Sequence, residues 1–261
     1  MNLLYAWRPV PGSRTESAQR RFQQVVHAHA ERLRGFAGQP PAIRCGCLHG
    51  WQVATLSFDH GVRGPGAWCT DGSRTVVFGG LCESILHLSG PAAASLVADA
   101  MQRPADRFGS LQGRFAALGA FPDGSLRIVS SADEPSPLWM TEGPRGWAIG
   151  SRALPVLELV GREARIDSLA AGLFISMDYR WGRRGLFEGV ERFGPRQLAE
   201  CRSGEAPELS TYVSLADRWA QCRASVVKGA GPEALYEALA PRLTAQLAAS
   251  PRPVVLLTGG R

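Results

Sequence analysis

The chain has 261 residues, 45% of them apolar and 20% charged, with 29 Lys+Arg against 23 Asp+Glu. That length and apolar share suffice for a large core and run long for one domain, so one main domain with an appendage is expected. The basic excess is mostly Arg scattered among Ala, Gly and Pro, with no Lys/Arg cluster interleaved with aromatics, which speaks against a nucleic-acid partner.

The opening "MNLLYAWRPVPG" is apolar over too short a stretch for a signal peptide, and no segment approaches the ~18 apolar residues of a membrane span. A cytoplasmic, reducing location without membrane contact is expected. Cys45, Cys47, Cys69, Cys82, Cys201 and Cys222 should then be thiols. Leu3 to Trp7 reads as a first strand, stopped by Pro9, Pro11 and Gly12. In the stretch that follows, Ser13 and Glu16 have capping-box spacing, and Phe22, Val25, Val26, Leu33 and Phe36 recur at three- and four-residue steps. The spacing predicts an amphipathic helix over 15–36. His27 and His29 on that helix point to different sides, and Cys45-x-Cys47 lacks the two-residue spacer of a structural zinc pair, so no metal site is expected.

Short β-type runs follow at 51–58, 74–80, 113–121, 125–131, 137–143 and 146–152, separated by turn signals such as Asp123-Gly124 and Gly143-Pro144. "GPAAASLVADAMQRP" and "IDSLAAGLFISMDY" read as helices, the second with Asp167 as N-cap. Beyond residue 216 the pattern changes. Leu235, Leu239, Leu243 and Leu247 stand four apart behind Pro232, Pro241 should kink or shift that helix, and "PVVLL" is an apolar strand running into Thr258-Gly259-Gly260.

Several of these segments, in order, resemble asparagine synthetase-like enzymes. "GSLQGRFAALGAFPDGSLRIVSSADEPSPLWM" is similar to their Leu-x-Gly-x-Phe strand, Asp-Gly hairpin and Pro-Leu-aromatic turn. "IDSLAAGLF" and "GLFEGVERFGPRQL" are similar to their Ile-Asp helix and the segment after it, with Gly189, Val190 and Pro195 in place. "PVVLLTGGR" looks like the start of their pyrophosphate loop. The likeness runs from about residue 51 to 261. It implies an α+β fold. Residues 1–215 would form a glutaminase-like domain, an N-terminal-nucleophile-hydrolase-like sandwich of two antiparallel sheets flanked by helices. Residues 216–261 would supply a linker helix and the first helix and strand of an incomplete α/β ATP-pyrophosphatase-type domain, with ATP and Mg²⁺ as cofactors and Leu257, Thr258, Gly259 and Gly260 facing the pyrophosphate. The loop's usual Asp-Ser would follow Arg261, so the sequence is expected to be one piece of a longer protein.

Three departures imply a silent glutaminase. Asn2 stands where the resemblance calls for the Cys nucleophile directly after Met1. Gly79-Gly80-Leu81 replaces the Asn-Gly-Glu that holds glutamine, and the acidic residue expected further on meets only "SGPAAAS". Cys82 has no His beside it in sequence to activate it. Relatives that close β-lactams or lasso peptides need no ammonia, because the attacking amine is already on the substrate. The expected activity is carboxylate adenylation followed by amine attack, on a small-molecule or peptide carboxylate. The alternative is a non-catalytic peptide- or protein-binding module, suggested by the helix at 15–36 and the Arg-aromatic segment "DYRWGRRGLF" at 178–187.

Overall fold

The computed structural model describes residues 2–37, 39–58, 67–85, 87–104, 107–108, 111, 113–131, 138–177, 182–202 and 207–212, with scattered positions between 214 and 244. Among them, twelve strands and four α-helices follow in the order β1 (Asn2–Pro9), α1 (Thr15–Ala37), β2 (Ala42–Leu48), β3 (Trp51–Ser57), β4 (Trp68–Thr70), β5 (Thr75–Cys82), α2 (Gly90–Gln102), β6 (Gly113–Ala120), β7 (Leu126–Ser130), β8 (Leu138–Gly143), β9 (Gly146–Gly150), α3 (Ala153–Val160), α4 (Ser168–Met177), β10 (Glu191–Phe193), β11 (Gln197–Cys201) and β12 (Glu208–Thr211).

All strand pairs are antiparallel. One run orders β2, β3, β1, β9, β8 and β10. The other orders β4, β5, β6, β7, β11 and β12. A single pairing, Asn2 with Gly80, joins β1 to β5 and makes the network continuous. The two runs stack face to face. Leu4, Ala6, Trp51, Val53 and Ile149 of the first pack in one buried cluster with Val77, Leu118, Leu126 and Ile128 of the second.

Period-2 alternation then sends the neighbouring residues outward. On the first sheet, Leu3, Tyr5, Trp7, Ala54 and Leu56 meet Phe22, Val25 and Val26 of α1 and Val156, Leu159 and Val160 of α3. On the second, Val76, Phe78, Phe115 and Val129 meet Ala94, Val97, Ala98 and Met101 of α2. The result is a four-layer helix–sheet–sheet–helix sandwich of α+β class. Because β1 lies between α1 and the second sheet, both its faces are buried, and this is why "LLYAW" is apolar without interruption.

The helix at 15–36 and the seven strands predicted among the described residues are found within one or two residues. The α1 N-terminus departs from expectation. Its first backbone bond runs from Ala18 N–H to the Arg14 carbonyl, so Arg14 and not Ser13 stands at the cap. Strands β2, β4, β10, β11 and β12 were not predicted. The β2–β3 hairpin is closed by His49 and Gly50, both with positive φ (49° and 79°), a two-residue turn whose twist suits flanking antiparallel strands.

Asp123-Gly124 turns β6 into β7 as predicted. The Asp123 carboxylate accepts the Ser125 N–H at 2.9 Å and its hydroxyl at 2.6 Å. Residues 251–261 lie outside the described residues, as do Leu235, Leu239, Leu243 and Leu247. Glu233, Tyr236, Glu237, Ala240, Pro241 and Thr244 are in helical backbone, in keeping with the helix predicted there.

Candidate functional site

Residue 2, where the sequence resemblance calls for a nucleophile, opens β1 at the edge where the two sheets join. Asn2 is paired with Ser57 of β3 on one side and with Gly80 of β5 on the other. Gly80 has φ +90° and faces Phe115 of β6. A Cβ on it would collide with the Arg114 carbonyl oxygen and lie 2.9 Å from the Phe115 Cα, so only glycine fits. This explains why Gly80 is the one position of Gly79-Gly80-Leu81 that keeps the expected residue. The need is backbone geometry and does not depend on glutamine.

Four hydroxyls of the two sheets are hydrogen-bonded to the backbone. Ser151 accepts the Leu4 N–H at 2.9 Å and turns its hydroxyl towards the Leu4 carbonyl at 3.3 Å, fastening β1 to the start of α3. Ser131 accepts the Phe115 N–H at 3.2 Å. Ser130 donates to the Gly194 carbonyl and accepts the Gln197 N–H, and Thr141 donates to the Gly189 carbonyl at 2.7 Å. The Ser151 and Ser130 hydroxyls each bridge an amide and a carbonyl and so splint one segment to another.

Nor is there an activated thiol among the cysteines whose titration is perturbed. Burial pushes the Cys45 and Cys69 thiols up, and the Cys201 thiol up to about 12. Cys82, next in chain to the Gly-Gly-Leu segment, is buried in the cluster beneath α2. His49 sits at the Trp51 end of β3, a strand length or roughly 20 Å from the Ser57 end where Asn2 pairs.

His27 is exposed and His29 buried, so the two do point to different sides of α1. Cys45 is half-buried and Cys47 exposed. Among the described residues, no group of three or more His, Cys, Asp or Glu is gathered as a metal would require. The loop residues Leu257, Thr258, Gly259 and Gly260 and the sixth cysteine, Cys222, lie outside the described residues. Among those described, no helix is long and apolar enough to cross a membrane.

A second surface was only partly legible in the sequence. Asp167 caps α4 as predicted, its carboxylate accepting the Ala170 N–H at 3.0 Å and the Arg184 guanidinium at 2.9 Å. Those contacts hold its carboxyl below the ordinary value. In the Arg-aromatic segment, residues 178–181 fall outside the described ones. Arg183 pairs with Glu191, and Phe187 turns inward against Trp139, Leu157 and Val190. Helix α4 itself, apolar in sequence, has no buried residue. The run of apolar letters gave no sign of that exposure, since periodicity cannot say whether a partner element is present.

No protein-family model matches the sequence, and no curated protein matches it. Solved structures do match in shape. The allosteric regulatory enzyme of purine biosynthesis superposes with a TM-score of 0.49 at 9% identity, over 82% of this chain and 49% of that one. Glutamine phosphoribosylpyrophosphate amidotransferase from B. subtilis, complexed with ADP and GMP, gives 0.47 at 7% identity, again over 82% and 49%. The chain thus spans about half the length of these structures. The architecture described above rests on strand register and layer order, to which likeness at this level adds nothing.

Proposed function

We propose that the chain is the N-terminal part of an ATP-dependent amide-forming ligase of the asparagine synthetase type, whose glutaminase-like sandwich no longer hydrolyses glutamine. The observation that carries this reading is Asn2 at the junction of the two sheets. A carboxamide has no nucleophilic atom for acyl transfer, and the Ser151 and Ser131 hydroxyls are held in backbone bonds. The sequence likeness that runs from about residue 51 to Gly259-Gly260 supplies the other half of the reading. ATP, with Mg²⁺, would activate a carboxylate as its adenylate. An amine already on the substrate would then displace AMP, and no ammonia would be needed.

The reading is tested by expressing the reading frame that carries this sequence. Pyrophosphate exchange into ATP that depends on an added carboxylate, together with no glutamate release from glutamine, is expected. Absence of exchange with every carboxylate offered, including peptides encoded beside it, would sink the proposal. A non-catalytic peptide- or protein-binding module is the second reading, favoured by the exposed apolar helix α4. It predicts capture of a peptide or protein without nucleotide chemistry.

A further inference from the structure

Between α1 and the outer face of β1, two buried rings each carry a polar atom without a partner. Tyr5 is wholly buried and His29 is 9% exposed, and the rings meet edge to face with centroids 5.6 Å apart. Neither the Tyr5 hydroxyl nor the His29 Nε2 has a hydrogen-bond partner. Buried polar atoms are costly to leave unpaired, and they ordinarily meet a protein group, a water or a ligand.

The backbone holds Tyr5 in this place. It pairs with Gly150 of β9, where any Cβ would collide with the Tyr5 ring, and the next residue, Ser151, accepts the Leu4 N–H. That connection brings Arg152 alongside. On α1, Arg32 follows His29 by one helical turn and so neighbours it on the helix surface. Burial pushes the Tyr5 hydroxyl up and Arg152 draws it back down, while burial and then Arg152 and Arg32 push the His29 imidazole down.

Both arginines are exposed, and among the described residues neither is joined to a carboxylate in an ion pair. The acidic groups of the two helices act elsewhere, Glu31 on Arg34 and Glu158 on Arg21. Two cations, a hydroxyl and an imidazole therefore surround one buried contact with no anion to balance them.

We propose that this cluster binds phosphate, free or as a terminal monoester, with Tyr5 and His29 on its buried side and Arg32 and Arg152 on its open side. A phosphate carries close to two negative charges near neutral pH and several strong acceptor oxygens, enough for two guanidinium forks and a hydroxyl. A carboxylate carries one charge and two oxygens, and leaves donors unmet. With no ion pair pinning them, the Arg32 and Arg152 side chains are free to part as the anion enters. The site is separate from the adenylation chemistry and stands whether or not the ligase reading holds.

Nitrogen–proton correlation spectra of the imidazoles in the whole 261-residue chain test it, at about pH 7.5 and matched ionic strength. Inorganic phosphate added to about 20 mM should shift the His29 Nε2 resonance saturably and leave that of His27, on the exposed face of the same helix, in place. Methyl phosphate run in parallel distinguishes the sources. An equal shift supports a monoester, and a shift with inorganic phosphate alone supports the free ion. Tyr5→Phe and Arg152→Gln should each weaken binding about tenfold, the loss of one charge-assisted hydrogen bond. Neither variant threatens the fold, because phenylalanine keeps the packed ring and residue 152 is exposed. A His29 signal unmoved by both phosphates, as a buried water in the anion's place would give, would overturn the proposal. So would equal saturation by acetate, an equal shift of His27, or wild-type affinity in Arg152→Gln.

Discussion

Acidification should weaken this fold through one histidine, by an amount the structure allows to be worked out. His29 of α1 is buried with its ring edge-on to Tyr5, centroids 5.6 Å apart, and its Nε2 has no hydrogen-bond partner. Burial first, and then the guanidinium groups of Arg152 and Arg32, push its pKa down from 6.5 to about 4. In the unfolded chain the imidazole titrates near 6.5, so between those two values the unfolded state binds the extra proton. Stability is therefore whole above pH 6.5 and falls as the pH drops towards 4. The full displacement corresponds to about 3 kcal/mol at about 1.4 kcal/mol per pH unit. With a discount for partial solvent access, about 2 kcal/mol should be lost by about pH 4.5.

Urea denaturation of wild type and His29→Leu across pH 7 to 4.5 reads this directly. Leucine leaves no orphan nitrogen, so at pH 7 the variant should be at least as stable as wild type. The gap in its favour should widen by about 2 kcal/mol as the pH falls. Removing a histidine from the exposed face, His27→Leu, controls for the loss of any imidazole. A gap between wild type and His29→Leu that stays constant from pH 7 to 4.5 would refute the reasoning.

Other substitutions probe the junction of the sheets and the turns. Gly80→Ala forces a Cβ onto the Arg114 carbonyl at φ +90° and should cost at least about 3 kcal/mol, whereas Gly124→Ala, with positive φ but open space, should cost about 1, both measured by urea midpoint. Arg196 adopts φ 59°, a left-handed conformation that glycine enters without penalty. Arg196→Gly should gain about 0.5 kcal/mol net of the looser unfolded chain, or a rise of about 1–2 °C in Tm. Asn2→Cys restores a thiol without the residues that hold glutamine, so a glutamate-release assay should still read zero. Measurable hydrolysis would show that the pocket at Gly79-Gly80-Leu81 is competent.

Local chemistry explains what the sequence made legible. The β6–β7 hairpin was readable because Asp123 and Gly124 each do something specific there, a side-chain acceptor and a positive φ. Helix α1 was readable because its buried residues recur at helical spacing against a single sheet face. Strand β2 escaped because Gly46 interrupts its apolar pattern. The interruption has a tertiary cause, since a Cβ at Gly46 would stand 2.9 Å from the Trp68 ring, beneath the Arg44 guanidinium that covers that ring. Strands β10 and β12 are three and four residues long and defined by their partners β8 and β11, which no local pattern announces. At the junction, the carboxamide of residue 2 could be read from the sequence alone. The commitment of Ser151 and Ser131 to backbone bonds across 147 and 16 residues of chain could not.

Adenylation leaves an isotopic record that no other route to an activated carboxylate produces. When the carboxylate oxygen attacks the α-phosphorus, pyrophosphate departs, and the later attack of the amine leaves that oxygen on AMP. Turnover of an ¹⁸O-labelled carboxylate by the reading frame carrying this sequence, with glutamine absent, should therefore place one label in AMP. Label in inorganic phosphate, or amide formation without labelled AMP, would contradict the proposed chemistry.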